Sequence, residues 1–178
     1  NLKSMEKRLQ DNFGSEKVST INCDCTNLTS LLKLHDQLLE QWGRLDILIA
    51  NVGDGRSEPD PLPSLKQWKK TWTTNFESAH NTSRTFLKML QESKGAILFI
   101  SSIVGVEAMG APVDYSTAKT AVIALAKNMS RKLAKDIRVN VLAPGNILFP
   151  GGSWSQKIDK NPKKIKDLIR STVPMNRF

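Results

Sequence analysis

Tyr115 and Lys119 stand four residues apart in the stretch VDYSTAKTAV, which spans residues 113–122. The small residues around them favour a helix, and side chains four apart on a helix lie on one face, one turn along. A phenol normally loses its proton near pH 10, and a neighbouring ammonium favours the phenolate. Such a pair could exchange a proton with an alcohol or carbonyl oxygen. The alternative is a solvated surface pair, so the rest of the sequence has to decide.

The elements that must position this pair alternate between amphipathic helices and short apolar strands. Such an order predicts a single α/β domain over residues 1–178, with a doubly wound parallel sheet covered by helices on both faces, in three layers. Helical patterns lie at 1–13, 28–42, 65–92 and 111–136, and strand patterns at 17–25, 45–50, 96–100 and 138–142.

Polar or glycine-containing junctions follow all four predicted strands. In parallel sheets ligands bind at the carboxyl ends of the strands, so four such junctions on one edge indicate a site there. The helix that begins with Tyr115 follows the third strand and faces the same edge. The junctions are Asp24, Asn51-Val52-Gly53, Ser101-Ser102 and Pro144-Gly145-Asn146.

The net charge of +9 is concentrated near the end of the chain. Residues 153–178 hold seven Lys or Arg against two Asp, and few aromatic residues accompany them. We therefore interpret this segment as a solvated basic helix face and predict no nucleic-acid partner. No apolar run reaches the roughly 20 residues that a bilayer span needs, so we predict no membrane segment.

The sequence gives little indication of a metal site. Cys23 and Cys25 are the only cysteines, and C-x-C without distant Cys or His partners is a poor metal site. We interpret both as small apolar residues of a protein in a reducing compartment, the cytoplasm. His35 and His80 lie within helices, away from any partner that would make them catalytic.

The spacing of Ser102, 13 residues before Tyr115, completes a recognisable pattern. Together with Lys119 it resembles the Ser…Tyr-x-x-x-Lys signature of the short-chain dehydrogenase/reductases, in particular the 3-oxoacyl-carrier-protein-reductase-like branch. Asn75, in TTNF, is similar to the family's catalytic Asn. The resemblance implies that Tyr115 is the acid/base, that Ser102 binds the same oxygen, that Lys119 holds the nicotinamide ribose, and that Asn75 holds a water of the proton relay.

Further motifs extend the resemblance over essentially the whole chain. Asn51-Val52-Gly53 resembles the family's N-A-G, and VPMNRF at 173–178 resembles its V-P-x-x-R-F. Phe149 stands where the family places a Thr that bonds the cofactor. The resemblance implies a Rossmann-like fold and a set of cofactor-binding residues: Asp24, Asn51, Gly53, Tyr115, Lys119, Pro144, Gly145 and Ile147.

The resemblance also implies a function and an assembly. The expected activity is NAD(P)-dependent hydride transfer that interconverts a carbonyl and a secondary alcohol of a small molecule. The expected assembly is a homodimer or homotetramer, paired through the helices at 65–92 and 115–134. Four apolar residues of the second helix exceed what one buried stripe requires: Ala118, Val122, Leu125 and Met129.

Two family features have no counterpart in the sequence. The first is the N-terminal part of the fold, which contains the T-G-x-x-x-G-I-G phosphate loop and the second strand, whose residues distinguish NAD from NADP. The second is the final strand. We therefore expect a domain truncated at both ends relative to the family, and both cofactors stay open. The alternative function is a cofactor-incompetent fragment or a non-enzymatic nucleotide-binding or scaffold protein of this fold. A phosphate loop directly upstream would favour the enzyme.

Overall fold

A computed structural model describes residues 2–58 and 61–178, and its centre is a parallel sheet. The sheet contains β1 (Ile47–Ala50), β2 (Ala96–Ile100) and β3 (Arg138–Leu142), in that order. In its register Ala50 lies opposite Phe99, and Phe99 lies opposite Val141. The three later strand predictions are confirmed, because short apolar runs between polar turns favour buried parallel strands.

The described residues contain seven α-helices. Asn27 and Ser64 cap two of these helices, since each accepts a hydrogen bond from the backbone N–H three residues on, at 3.1 and 3.3 Å. None of the described helices has both the length and the hydropathy to cross a bilayer. The helices are α1 (Leu2–Phe13), α2 (Leu28–Trp42), α3 (Leu65–Trp72), α4 (Ser78–Ser93), α5 (Val113–Lys132), α6 (Ser153–Lys160) and α7 (Pro162–Thr172).

The hydrophobic core lies between one face of the sheet and helices α2, α4 and α5. Ile97 and Phe99 of the central strand are fully buried against Leu31 of α2, Phe86 of α4 and Val122 of α5. Alternate residues of β1 point to the opposite face, and both isoleucines there are more than half exposed. The predicted α/β class with a parallel sheet is confirmed, and the described residues form the sheet and one helix layer.

The strand predicted at 17–25 is wrong. Residues Ser15–Lys17 form a short 3-10 turn, and no strand follows before α2. Side chains of the neighbouring helices bind this backbone instead: Gln10 Nε2 donates to Val18 O, and Asp24 N donates to Ser30 Oγ. Val18 is extended, but a strand also requires a neighbouring strand, and within the part of the chain that the structure describes none pairs with this segment.

The helix predicted over 65–92 is continuous but not uniform. Between α3 and α4 the residues Thr73–Glu77 form a π-helical turn, and Asn75 lies at its centre. Such turns are rare and frequently occur at functional sites. Helix α5 is shorter than the predicted 111–136, because Pro112 precedes its first residue and the last turn ends at Lys132.

The apolar residues of α5 do not support the oligomer argument made from the sequence. Ala118 and Val122 are buried, and Leu125 and Met129 pack against the same core cluster. All four therefore serve the chain's own core, and the inference that they exceed one buried stripe is wrong. The basic segment behaves as predicted: α7 buries Ile165 and Ile169 and exposes its lysines.

Phe99→Ala should test whether the central strand dominates stability. Phe99 is completely buried, so its truncation leaves a cavity and should lower the free energy of unfolding by about 3–5 kcal/mol. Denaturant titration of the full protein measures this value. Leu65→Ala is the control, because Leu65 is 80% exposed and its truncation should change the free energy by about 0.5 kcal/mol or less. Equal losses from both variants would contradict this account of the core.

Candidate active site

The carboxyl ends of the three strands bring the polar junctions together. Ser101 N donates to Leu142 O at 2.8 Å, and Ile103 N donates to Pro144 O at 2.9 Å. The junctions after β2 and β3 are thus directly bonded, and the junction after β1 lies beside them because β1 pairs with β2. Three of the four predicted junctions therefore lie at one edge, with β2 in the middle, and the fourth, Asp24, follows no strand.

Lys119 is the buried cation of this edge. Its side chain reaches from α5 to the end of β2, where Nζ donates to Ile100 O at 3.0 Å, and the residue is only 4% exposed. Burial lowers its pKa from 10.5 to about 8, because desolvation disfavours the ammonium. Lys119 is therefore still mostly charged at neutral pH, but it loses its proton far more easily than an exposed lysine.

Helix α5 is held against the end of β2 by short contacts that fix Lys119. Ser101 Oγ donates to Lys119 O at 2.7 Å, and Thr120 Oγ1 donates to Gly105 O at 2.8 Å. A Cβ on Gly105 would lie 2.8 Å from the carbonyl carbon of Lys119, closer than real Cβ atoms come. Glycine is therefore required at position 105 for the helix and the strand end to approach.

Tyr115 and Lys119 lie on neighbouring turns of α5, as the spacing predicts. Lys119 Nζ is 5.8 Å from the centroid of the Tyr115 ring. The tyrosine is half-buried, and a Cβ on Gly55 would be 3.5 Å from both its Cε1 and its Cζ. The alternative of a solvated surface pair is wrong, because the lysine is buried and a loop covers the phenol ring.

Asn75 lies next to the lysine, with Gly53 between them. A Cβ on Gly53 would be 2.7 Å from Asn75 Oδ1 and 2.9 Å from Lys119 Nζ, so any larger residue would displace one of these two buried side chains. Asn75 Nδ2 donates to Asp54 O at 2.9 Å and to Thr71 O at 3.0 Å, and its Oδ1 accepts from Asp54 N at 3.0 Å. One side-chain N–H and Oδ1 therefore hold the loop after β1, and the other N–H binds a carbonyl of α3.

The other predicted catalytic residue, Ser102, directly follows Ser101 at the end of β2. Its backbone is extended, with φ of −158° and ψ of 154°, and its side chain makes no capping bond to the turn Ile103–Gly105. The residue is half-buried. Its hydroxyl can therefore donate to a ligand oxygen at the edge where Lys119 lies.

The predicted cofactor residues divide into two groups. Gly53 and Tyr115 lie next to the buried Lys119 and form one cluster with it. Asp24 lies apart from it, and hydrogen bonds from the hydroxyl and N–H of Thr26 lower the pKa of its carboxyl. The remaining residues follow β1 and β3, and all but the half-buried Pro144 are exposed: Asn51, Pro144, Gly145 and Ile147.

Several residues of this region were not found from the sequence. Ser57 Oγ donates to Asp114 Oδ2 at 2.7 Å, and Asp114 is 1% exposed. The sequence contains one indication of a role for Asp114: it directly precedes Tyr115 in the first turn of a helix, where an acid is favoured. Ser57 and Gly55 lie in a polar loop where spacing carries no information about their distant partners.

The two cysteines pack as small apolar residues. Cys23 and Cys25 lie against the core cluster, and burial raises the pKa of the Cys25 thiol. Within residues 2–58 and 61–178, no group of three or more His, Cys, Asp or Glu side chains could hold a metal ion.

Comparison with known proteins identifies the family. Residues 1–157 match the family model for short chain dehydrogenases. The chain belongs to the short-chain dehydrogenase family. The predicted resemblance to this family, and to its 3-oxoacyl-carrier-protein-reductase-like branch, is therefore confirmed.

Individual relatives of this short-chain dehydrogenase agree with that assignment. The 3-oxoacyl-[acyl-carrier-protein] reductase FabG of Thermotoga maritima is 27% identical over 180 residues, which cover 100% of this chain and 70% of that protein. The FabG of Chlamydia muridarum is 32% identical over 147 residues, 82% of this chain and 59% of that protein. Among solved structures, the Pseudomonas aeruginosa RhlG/NADP active-site complex is 26% identical with a TM-score of 0.80, over 89% of this chain and 63% of that chain.

Lys119→Met should change how stability depends on pH. Between pH 8 and 10.5 the unfolded state binds more protons at Lys119 than the folded state, so the folded wild type gains stability as pH rises. From about pH 7 to about pH 10 the free energy of unfolding of the wild type should rise by about 2–3 kcal/mol relative to the Met variant. Denaturant titrations at each pH measure the difference.

Lys127→Met is the matched control for this prediction. Lys127 lies on the same helix and is exposed. The difference between this variant and the wild type should stay nearly constant over the same range. If the Lys119→Met difference is equally flat, the ammonium of Lys119 is not desolvated in the folded protein.

Proposed function

We propose that this short-chain dehydrogenase is an NAD(P)-dependent oxidoreductase that interconverts a carbonyl and a secondary alcohol of a small molecule. The observation that carries the proposal is the buried Lys119 ammonium, which lies between the Tyr115 ring and the Asn75 amide at the carboxyl ends of parallel strands. That edge is where ligands bind in such sheets. The chain spans 59–70% of the length of the two FabG relatives, so the proposal concerns the full protein.

Tyr115 is the proposed acid/base. In the reduction its hydroxyl donates a proton to the carbonyl oxygen, and in the oxidation its phenolate accepts the proton of the alcohol. Ser102 donates a hydrogen bond to the same substrate oxygen and so orients it toward the phenol.

The residues of the cluster fit the nicotinamide half of a dinucleotide. Lys119 uses one N–H on Ile100 O, which leaves two donors for ribose hydroxyls. The absence of a side chain at Gly53 keeps the path to Lys119 open. A bound NAD or NADP would supply or accept the hydride, and both cofactors remain candidates. The residues proposed to hold it are Asp24, Asn51, Gly53, Tyr115, Lys119, Pro144, Gly145 and Ile147.

Asn75 is proposed to support the proton path rather than to contact substrate. Its side-chain N–H groups are both occupied, by Asp54 O and Thr71 O. A relay water would therefore be held by a backbone carbonyl of the π-helical turn or by the remaining lone pair of Oδ1. The π turn provides such carbonyls, because its wider spacing breaks the regular i→i−4 ladder.

The non-enzymatic alternative does not account for Lys119. A buried ammonium costs free energy unless its surroundings compensate, and within residues 2–58 and 61–178 its Nζ makes one hydrogen bond, to Ile100 O. A scaffold protein would be more stable with an apolar residue there. The free-energy cost of burying the ammonium is explained if the ammonium takes part in a reaction. Lysines with shifted pKa values in clefts are typical of active sites.

Tyr115→Phe tests the proposed function. The variant removes only the phenolic oxygen, so kcat should fall at least about 100-fold while cofactor affinity changes little. The measurement is nicotinamide absorbance during turnover of 3-oxoacyl thioesters and small ketones by the full protein, with NADPH and NADH in turn. Thr85→Val is the control, because it removes a hydroxyl that binds only Asn81 O within α4. Wild-type turnover by Tyr115→Phe would exclude Tyr115 as the acid/base.

We further propose that the full protein is a homodimer or homotetramer in the cytoplasm. The helices that the resemblance assigns to the interface include α3 and α5, and an open, largely apolar groove between them is lined by Trp68, Trp72 and Thr117. A two-fold contact would place the same groove of both copies together.

Light scattering at micromolar concentration tests the assembly, with a dimer or tetramer as the expected mass. Thr117→Arg places a charge in the groove and should shift the mass toward the monomer, because a buried unpaired charge is costly. Lys127→Arg, at an exposed position of the same helix, is the control. A monomeric wild type would contradict the prediction.

A further inference from the structure

Asp114 is a buried carboxylate that the proposed proton transfer does not use. It is 1% exposed, and two groups hydrogen-bond to it: Ser57 Oγ donates to Oδ2 at 2.7 Å, and Tyr115 N donates to Oδ1 at 2.9 Å. A buried carboxylate is tolerated only where such bonds replace its water shell. The bond from Ser57 is long-range, because 57 residues separate the two positions.

The loop Asp54–Ser57, here called the tyrosine loop, is held at both ends. At its start, the Asn75 side chain bonds both the N–H and the carbonyl of Asp54. At its end, Ser57 bonds Asp114. In between, Arg56 Nε and Nη2 donate to the Asp54 carboxylate at 3.0 and 2.8 Å, which ties the loop to itself.

Gly55 lies between the two anchors and next to the Tyr115 ring. A Cβ at this position would be 3.5 Å from Cε1 and Cζ and 3.7 Å from Cε2. These are the ring atoms that carry or flank the hydroxyl. The tyrosine loop therefore passes beside the reactive end of the phenol, and its two anchors set the distance between them.

We propose that Asp114 is a positioning residue: through Ser57 it holds the tyrosine loop on the ring of Tyr115 and so fixes the orientation of the phenol for proton transfer. This inference rests on the proposed function. The chain geometry supports it, since Asp114 directly precedes Tyr115 on α5. The turn of helix that presents the phenol is thus the turn that anchors the loop covering it.

A purely structural role for Asp114 explains only part of its contacts. A carboxylate in the first turn of a helix stabilises the N-terminal N–H groups, and an exposed one does so adequately. That role accounts for the contact with Tyr115 N. It does not account for the burial of Asp114 or for its bond to Ser57, which crosses from the loop after β1 to α5.

Ser57→Ala and Ser57→Thr in the full protein test the tether. Hydrogen exchange of the amides at 53–58 should be faster in the Ala variant and return toward wild type in the Thr variant, which restores the hydroxyl. The kcat should fall about 10-fold in the Ala variant and recover in the Thr variant, because misplacing a catalytic group slows the reaction. The KM for cofactor should change less than about twofold, because binding does not require the loop contact.

Ser130→Ala is the matched control. It removes one serine hydroxyl that binds only Lys127 O on the same helix, about 22 Å along α5 from Tyr115. Exchange at 53–58 and kcat should both stay at the wild-type values.

Asp114→Asn provides the second arm, because it keeps the shape of the side chain and removes the charge. If the two residues act as one tether, the double variant Ser57→Ala/Asp114→Asn should be no slower than the slower single variant. Multiplicative losses in kcat would overturn the proposal. So would unchanged exchange at 53–58 in Ser57→Ala, or a failure of Ser57→Thr to restore kcat.

The outcomes separate this inference from the proposed function. Wild-type turnover by Tyr115→Phe defeats the proposed function, and the exchange measurements then still decide whether the tether exists, because they need no turnover. Fast exchange at 53–58 with an unchanged kcat in Ser57→Ala defeats the positioning role and leaves Tyr115 as the acid/base.

Discussion

The hydrogen bond from Lys119 Nζ to Ile100 O is the contact on which the rest of the site depends. It brings a charged side chain to the end of the central strand, where burial makes the charge expensive. Helix α5 must therefore lie very close to β2, which a glycine at 105 permits. The loop after β1 passes over the lysine, and the glycine at 53 leaves the Asn75 and Lys119 side chains in place. The glycines at 53 and 105 thus allow the ammonium of Lys119 to be buried at this position.

The same strand also links the core to the chemistry. In β2, Phe99 is completely buried between sheet and helices, and the next residue supplies the carbonyl that receives Lys119. Any shift of β2 relative to α5 would therefore alter both the packing and the lysine position. The bonds of Ser101 and Thr120 across this junction oppose such a shift, so the rigidity of the core extends to the site. Catalytic groups on helices and strands are held more accurately than groups on loops.

The sequence predicts those features whose cause is local. Strands β1 to β3 are short apolar runs with polar ends, and Tyr115 and Lys119 face one side because their spacing matches a helical turn. The strand at 17–25 was wrong because pairing depends on a partner elsewhere, which composition does not reveal. The argument from Leu125 and Met129 was wrong for a related reason: apolar periodicity shows that a face is buried, but not whether the chain's own core or a second copy covers it.

The tyrosine loop shows the same limit of prediction from sequence for single residues. Asn75 was identified through its motif. Its bonds to Asp54 and Thr71, however, follow from the π turn, which the spacing of residues in the sequence does not predict. Its amide holds one end of the loop, and Asp114 holds the other from the helix that presents Tyr115. Two residues beside the phenol and the ammonium thus act on the loop rather than on substrate. In a fold whose sheet and helices place the reactive groups on rigid elements, the remaining freedom lies in the loop above the ring, and side-chain bonds from those elements remove it.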